Sequence, residues 1–292
     1  WSKNSSLNIY KLLKKKNNLD FNFIISDLVP EAFELAKILK IPSFGVARFA
    51  WDWFFYNTEF KNLDAVKSIT RKLRLSKKIY FPTFVKKKIM ASYYSSTKET
   101  NLIFNKNMFK ENTFQFAKSN NKFRCLIMDN GTKTNSELIK KTIKYLKNIK
   151  KIDFYLSIDN YSDELKSYVA EQKNLIPVSG LKNMHRLIEY VDFLVARGGF
   201  NTLTEILVLK KPTLLIDEKN NPEIEQNLKQ MKKLGYAATM KQSSFVNNFE
   251  KRINFFIKYQ MQNIKKKLKL KKFKSNGANE IMKDIIYNYE KS

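Results

Sequence analysis

Short apolar runs of strand length alternate with stretches of helical spacing along much of the chain. Phe21–Ser26 is a run of the first kind. Pro30 is suited to the first turn of a helix, and Glu31–Leu39 carries Phe33, Ala36 and Leu39 at helical spacing until Pro42 breaks it. Ser43–Ala47 is a second strand. Residues 21–47 therefore read as one strand–helix–strand unit, the building block of a parallel sheet. The segment Trp51–Lys88 reads as irregular, aromatic and basic, and Lys78–Phe81 and Asn101–Phe104 are further strand candidates. The opening segment Trp1–Asn8 is polar.

After a polar linker at Asn105–Asn121 the alternation resumes with more order. Phe123–Met128 is a strand, Asn130–Gly131 a turn, Ser136–Leu146 a helix and Ile152–Ile158 a strand; Tyr161–Glu164 starts a helix. Leu175–Val178 and Phe193–Ala196 flank a short helix at Met184–Tyr190. Asn201–Leu209 is a helix, Thr213–Ile216 a strand, Pro222–Leu234 a helix and Ala237–Met240 a last short strand. Phe245–Lys272 and Glu280–Tyr289 read as helices separated by Ser275–Gly277. This spacing predicts doubly wound parallel sheets. The organisation expected is an α/β chain of two Rossmann-like domains facing a cleft. They are an N-terminal, acceptor-side domain at 1–110, lacking its first strands, and a second domain at 122–274, followed by a C-terminal helix at 275–292. A ligand is expected between the domains, outside the carboxyl ends of the strands.

Composition narrows the classes. With 43% hydrophobic residues over 292 positions the chain is no disordered tail. Its longest apolar runs fall far short of the roughly 20 residues that span a bilayer. The lone Cys125 forms no internal disulfide and sits in a predicted buried strand, which fits a reducing cytoplasm. The opening residues lack the zones of a secretory signal, and a start at Trp points to residues missing upstream. The net charge of +28 invites an anionic partner. It comes from 48 lysines and only seven arginines in a chain rich in Asn and Ile, which equally fits compositional drift and disfavours a dedicated nucleic-acid reader.

Glycine is scarce, seven in all, so the adjacent pair Gly198–Gly199 is informative. It follows a strand and precedes a helix, where glycines let a ligand approach the backbone and the helix N-terminus favours a phosphate. A plain turn, with Thr202 and Glu205 as a capping box, fits the same residues. His185, the only histidine, reads as structural. Asp217–Glu218 reads as a solvated loop. The basic stretch Lys265–Lys274, with Leu and Phe among lysines on a helix, suits either an anionic membrane surface or a solvated face.

The ordered set Ala196-Arg197-Gly198-Gly199-Phe200-Asn201-Thr202, Glu205, Lys211-Pro212, Glu225-Gln226 and Leu234-Gly235-Tyr236-Ala237 resembles the C-terminal half of GT-B glycosyltransferases. Within them it is similar to the family 28 branch of UDP-N-acetylglucosamine transferases that complete the lipid-linked peptidoglycan precursor. The likeness spans roughly residues 122–240. More loosely, Ser26-Asp27, Pro30, Ala36–Pro42 and Arg48–Trp53 look like the first domain of related sugar transferases.

The resemblance implies a transferase that moves a hexose or N-acetylhexosamine from a UDP-sugar, its co-substrate, to an acceptor hydroxyl, inverting and metal-independent, with no cofactor. Thr202 and the backbone of Phe200 and Asn201 would hold the diphosphate beside Gly198 and Gly199, with Arg197 as a nearby cation. Glu205 would receive the ribose hydroxyls, Gly131-Thr132 would form a second phosphate loop, the Leu181 backbone would read uracil, and Glu225 with Gln226 would touch the sugar. The family's Asn a few residues past that last pair is here Asn227, directly after it. No D-x-D sequence occurs. The family's Gly/His-rich base loop is absent from the sequence, and Asp52, between Trp51 and Trp53, is the remaining candidate base because a carboxylate among aromatics can titrate high. The implied partners are a UDP-sugar, a lipid-linked or small-molecule acceptor and an anionic membrane surface, on the cytoplasmic or inner-face side. Competing readings are a nucleotide-sugar hydrolase on the same scaffold, a basic RNA- or membrane-binding protein, and an inactive relative.

Overall fold

A computed structural model of the chain describes residues 5–15, 20–59, 62–85, 96–105, 121–128, 133–157, 161–178 and 184–290. The chain divides into two units, one of Trp1–Ile103 with Lys274–Ser292 and one of Phe104–Phe273.

Unit 1 begins with helix α1 (Ser5–Lys15), which the polar reading of the opening residues did not anticipate. Strand β1 (Ile24–Ser26), helix α2 (Pro30–Leu39) and strand β2 (Ser43–Val46) form the expected strand–helix–strand unit, with Pro30 in the first turn of α2 and Lys40 closing it in the left-handed conformation. The region expected to be irregular instead holds α3 (Trp51–Tyr56) and α4 (Leu63–Leu73) before β3 (Lys78–Pro82). The α4 start is fixed by Asn62, whose side chain accepts the Ala65 N–H at 2.9 Å. The aromatic run 51–56 masks α3 because apolar residues at every position but Asp52 leave no period to read.

The fourth strand, β4, is Thr97–Thr100 and not Asn101–Phe104. It is the edge of an all-parallel sheet ordered β1-β2-β3-β4, polar on its open side, so it sends no apolar signal; Ile103 makes only an isolated bridge to Asn276.

The last helix belongs to this unit. Before it the chain runs through unit 2 as β5 (Phe123–Ile127), α5 (Lys133–Leu146), β6 (Ile152–Ser157), α6 (Asp163–Ala170), β7 (Leu175–Val178), α7 (Met184–Tyr190), β8 (Phe193–Arg197), α8 (Phe200–Leu209), β9 (Thr213–Ile216), α9 (Pro222–Leu234), β10 (Ala238–Met240), α10 (Gln242–Asn247), α11 (Phe249–Phe255) and α12 (Met261–Leu270). The stretch read as one helix from Phe245 is thus the end of α10, a break at Asn248 and then one unbroken helical run over 249–270, whose π-helical turn at Phe256–Gln260 seats the buried Phe256 ring on Phe193. Helix α13 (Gly277–Glu290) then returns to unit 1, where Ile281 and Ile285 pack on Phe44 and Tyr80. Asp284 accepts hydrogen bonds there from Tyr80 Oη at 2.7 Å, Lys78 Nζ at 3.0 Å and Lys98 Nζ.

The sheet of unit 2 is wholly parallel, in the order β10-β9-β8-β5-β6-β7. Leu126, Phe154, Leu194, Val195 and Leu215 are fully buried, as expected of strands covered on both faces. The order reverses between β5 and β8, which is where a doubly wound sheet opens a crevice at its carboxyl ends. At the opposite, amino ends a charge cluster braces the same strands. Arg124 grips Asp192 through Nε at 3.1 Å and Nη2 at 2.8 Å. Burial pushes the Asp192 carboxyl up, but the Arg124 bonds outweigh it and hold it below the usual range. Lys211 donates to the Glu189 and Val191 carbonyls; burial, partly offset by Asp192, brings its ammonium down to about 8.

Candidate functional site

Strand β8 ends at Arg197, the glycine pair turns the chain, and α8 starts at once, so the first N–H groups of α8 lie at the carboxyl end of a strand bordering the switch point. Gly199 is the N-cap, with φ −65° and no side chain to satisfy those donors. Thr202 therefore lies inside the helix, three residues on, and the capping-box alternative with Glu205 falls. Thr202 and Glu205 instead share one face of α8, one turn apart.

The two glycines have different reasons. A Cβ on Gly198 would stand 2.1 Å from Leu228 Cδ1, so a side chain here would force Leu228 of α9 to shift. A Cβ on Gly199 would meet nothing within 4 Å. Open space beside a helix N-terminus whose N-cap residue carries no side chain leaves room for an incoming anion.

Helix α9 supplies the other wall. Asn221 caps it through the Ile224 N–H, and Pro222 occupies its first turn. Asn227 is buried and donates its amide to the Gly198 carbonyl at 2.9 Å. Glu223, four residues earlier on the same face, accepts the Phe200 N–H through Oε1 at 3.2 Å. The carboxylate at the turn is thus Glu223, which the sequence reading missed. The available signal was helical arithmetic: with Asn227 against the turn, positions 223 and 226 follow it there, and 225 does not. Gln226 lies on the Glu223 face and its Nε2 is buried without a partner among the described residues. Glu225 is on the opposite side, exposed and 3.9 Å from Lys229, at a cavity of about 530 Å3 lined with Lys232, Lys241 and Arg252.

Arg197 was expected as a cation near the diphosphate. Its guanidinium is instead gripped by Glu218, with Nη2 2.7 Å from Oε1 and Nε on Oε2. Its charge is matched, and it fixes the loop after β9. Asp217 in that loop accepts the Gln242 N–H at 2.7 Å and so caps α10 rather than facing solvent. Glu205 points its Oε1 to His185 Nε2 at 3.2 Å.

Asp52 is 1% exposed. Its Oδ1 accepts the Trp53 N–H at 2.8 Å and its Oδ2 the Thr70 hydroxyl at 2.9 Å, tying α3 to α4. The expectation of a catalytic base is corrected, because a buried carboxylate with both oxygens engaged has no side open to an acceptor hydroxyl. Cys125 is fully buried as expected, and burial pushes its thiol up. Gly131, Thr132 and Leu181 lie outside the described residues, as does the linker at 106–120.

The sequence profile of the glycosyltransferase family 28 C-terminal domain matches residues 130–285. No curated protein sequence matches the chain. Among solved structures it is similar to the glycotransferase of kitacinnamycin at 12% identity, TM-score 0.66, covering 95% of this chain and 79% of that one. It is similar to Acinetobacter baumannii MurG at 13% identity, TM-score 0.62, covering 97% and 79%. It is also similar to the glycosyltransferase VinC in complex with dTDP at 11% identity, TM-score 0.60, covering 99% and 77%. At these identities the likeness speaks for the fold, and the fold is GT-B.

Proposed function

The chain belongs to glycosyltransferase family 28 through its C-terminal domain, and from that premise we propose that it transfers a hexose or N-acetylhexosamine from a UDP-sugar to an acceptor hydroxyl with inversion. The observation that carries this reading is the α8 N-terminus, open beside Gly199 at the carboxyl end of β8, with Glu205 one turn below, Glu223 from α9 on the Phe200 N–H and Gln226 beside it.

The acceptor oxygen attacks the anomeric carbon while the glycosidic bond to the diphosphate breaks. Negative charge grows on the leaving phosphate at that moment. The N–H groups of Phe200, Asn201 and Thr202 and the positive end of α8 stabilise it, which leaves the chemistry no need of a metal. Glu205 suits a ribose diol, since a carboxylate accepts two neighbouring hydroxyls. The Gln226 Nε2, without a partner among the described residues, suits a sugar hydroxyl.

For the acceptor side we propose a lipid-linked or small-molecule alcohol met at an anionic membrane surface. In support, α12 exposes Lys265, Lys266, Lys269 and Leu270, a basic face with an apolar tip. Among the described residues no helix is long and apolar enough to cross a membrane.

Calorimetric titration of UDP, with magnesium and with chelator, into wild type and Glu205→Ala tests the donor site. Metal-independent binding that the substitution weakens about tenfold supports it. A folded wild type that binds no UDP overturns it, and salt-sensitive binding to any polyanion would then favour a basic scaffold.

A further inference from the structure

His185 is outside every role given above, yet it is the residue that touches Glu205. It sits in the first turn of α7, 8% exposed, with Nε2 3.2 Å from Glu205 Oε1. The Phe104 ring meets the imidazole edge-on, centroids 5.1 Å apart at 76°, which fixes the plane of the ring and hence the direction of its Nε2. Glu205 keeps 20% of its side chain exposed. One carboxylate oxygen is therefore held from the protein side, while the carboxylate still reaches solvent.

A glutamate on a helix face has three free torsions, and ordering them on ligand binding has an entropic cost. The 3.2 Å contact from the buried His185 Nε2 on the neighbouring helix meets that cost in advance, during folding. We propose that His185 is a positioning residue: it holds Glu205 in the rotamer that receives both ribose hydroxyls, and it thereby gives the site its preference for ribonucleoside over 2′-deoxyribonucleoside diphosphates. The proposal rests on the reading of Glu205 as the ribose carboxylate. Its physical basis is that a fixed carboxylate loses a defined hydrogen bond when the 2′-hydroxyl is absent, whereas a mobile one re-orients to the remaining hydroxyl.

The test is titration of UDP and of 2′-deoxy-UDP into the full chain as wild type, His185→Ala, His185→Gln and Glu205→Ala, each verified as folded by circular dichroism. The expected wild-type preference for UDP is about tenfold, the value of one good hydrogen bond. His185→Ala should shrink that ratio to under about threefold, and His185→Gln, whose amide N–H can still donate to Glu205, should restore most of it. A role in packing alone would lower the melting temperature and leave the ratio untouched, so a full ratio in folded His185→Ala overturns the proposal while leaving Glu205 in place. Should His185→Ala not fold, an undiminished ratio is sought in His185→Gln against its predicted partial loss in His185→Phe, where the donor is gone and the ring remains; equal ratios in the two overturn it. Equal affinities of the wild type for both nucleotides, unchanged in Glu205→Ala, would overturn the ribose reading itself.

Discussion

The side-chain amide of Asn227 donates to the carbonyl of Gly198 at 2.9 Å, joining residues 29 apart in sequence. Through this bond α9 is registered on the turn that opens α8, and Glu223 is set against the Phe200 N–H one helical turn earlier. Asn227→Ala leaves a buried carbonyl without its donor and should cost about 1–3 kcal/mol of stability. It should also weaken UDP binding, since the turn loses its clamp. Urea unfolding and UDP titration on the same preparation check both; a variant as stable as wild type would show that the bond carries no weight.

Glu223 puts a negative charge at the helix end to which a diphosphate is assigned. Its carboxylate and the ligand compete for the Phe200 N–H. Glu223→Gln keeps the shape and removes the charge, so UDP should bind about two- to fivefold tighter, in line with ~0.3–1 kcal/mol for a charge at a helix terminus. The gain should shrink at high salt. Calorimetry at two ionic strengths reads this directly, and unchanged or weaker binding would place the phosphate elsewhere.

The neighbouring glycines should respond in opposite ways to the same change. Gly198→Ala drives a methyl group toward Leu228 Cδ1 and should destabilise the fold by about 1–3 kcal/mol, with partial rescue by Leu228→Ala. Gly199→Ala meets no protein atom and keeps an ordinary φ, so its stability should stay within about 0.5 kcal/mol of wild type. Its methyl group enters the space beside the α8 N-terminus, so UDP affinity should fall. Thermal unfolding and UDP titration separate the two effects.

The site was legible in the sequence where backbone chemistry writes it and illegible where side-chain direction decides. Two glycines between an apolar run and an amphipathic one mark a strand-to-helix turn from the residues alone, and the Rossmann order of unit 2 agrees with it; only the family resemblance favours a phosphate there over a plain turn. The partner helix was located too, because Asn221-Pro222 starts it and Gly235 ends it. Which of its carboxylates faces the turn depends on rotation about the helix axis, and a shift of two residues exchanges Glu225 for Glu223. The engagements of Arg197 and Asp52 were illegible for another reason. A charge reads as available in a sequence, and only the fold shows that Glu218 or Thr70 has already engaged it. In unit 1 helix α3 is nearly continuous in apolar residues and the edge strand β4 has none, so neither shows a period, whereas α4 carries Leu63, Val66, Ile69 and Leu73 at a helical spacing that was legible and went unread.

The return of α13 to unit 1 turns on Asp284, and its titration gives a pH test of that docking. Burial pushes the carboxyl up, but hydrogen bonds from Lys98, Tyr80 and Lys78 win and bring it to about 2, against an ordinary 3.8. A carboxyl depressed in the folded state contributes stability that is complete above the unfolded value and is lost as pH falls from 3.8 towards 2. The expected contribution is on the order of 1 kcal/mol, reduced by the half-exposed Lys98 and solvent screening. Asp284→Asn should therefore unfold at lower urea than wild type at pH 7, with the gap closing through this window and gone below pH 2. Other carboxylates titrate alike in both proteins, so the difference between them isolates Asp284. A gap that persists unchanged at pH 2 would mean that Asp284 acts through shape rather than charge, and that Ile281 and Ile285 on Phe44 and Tyr80 suffice to dock the helix.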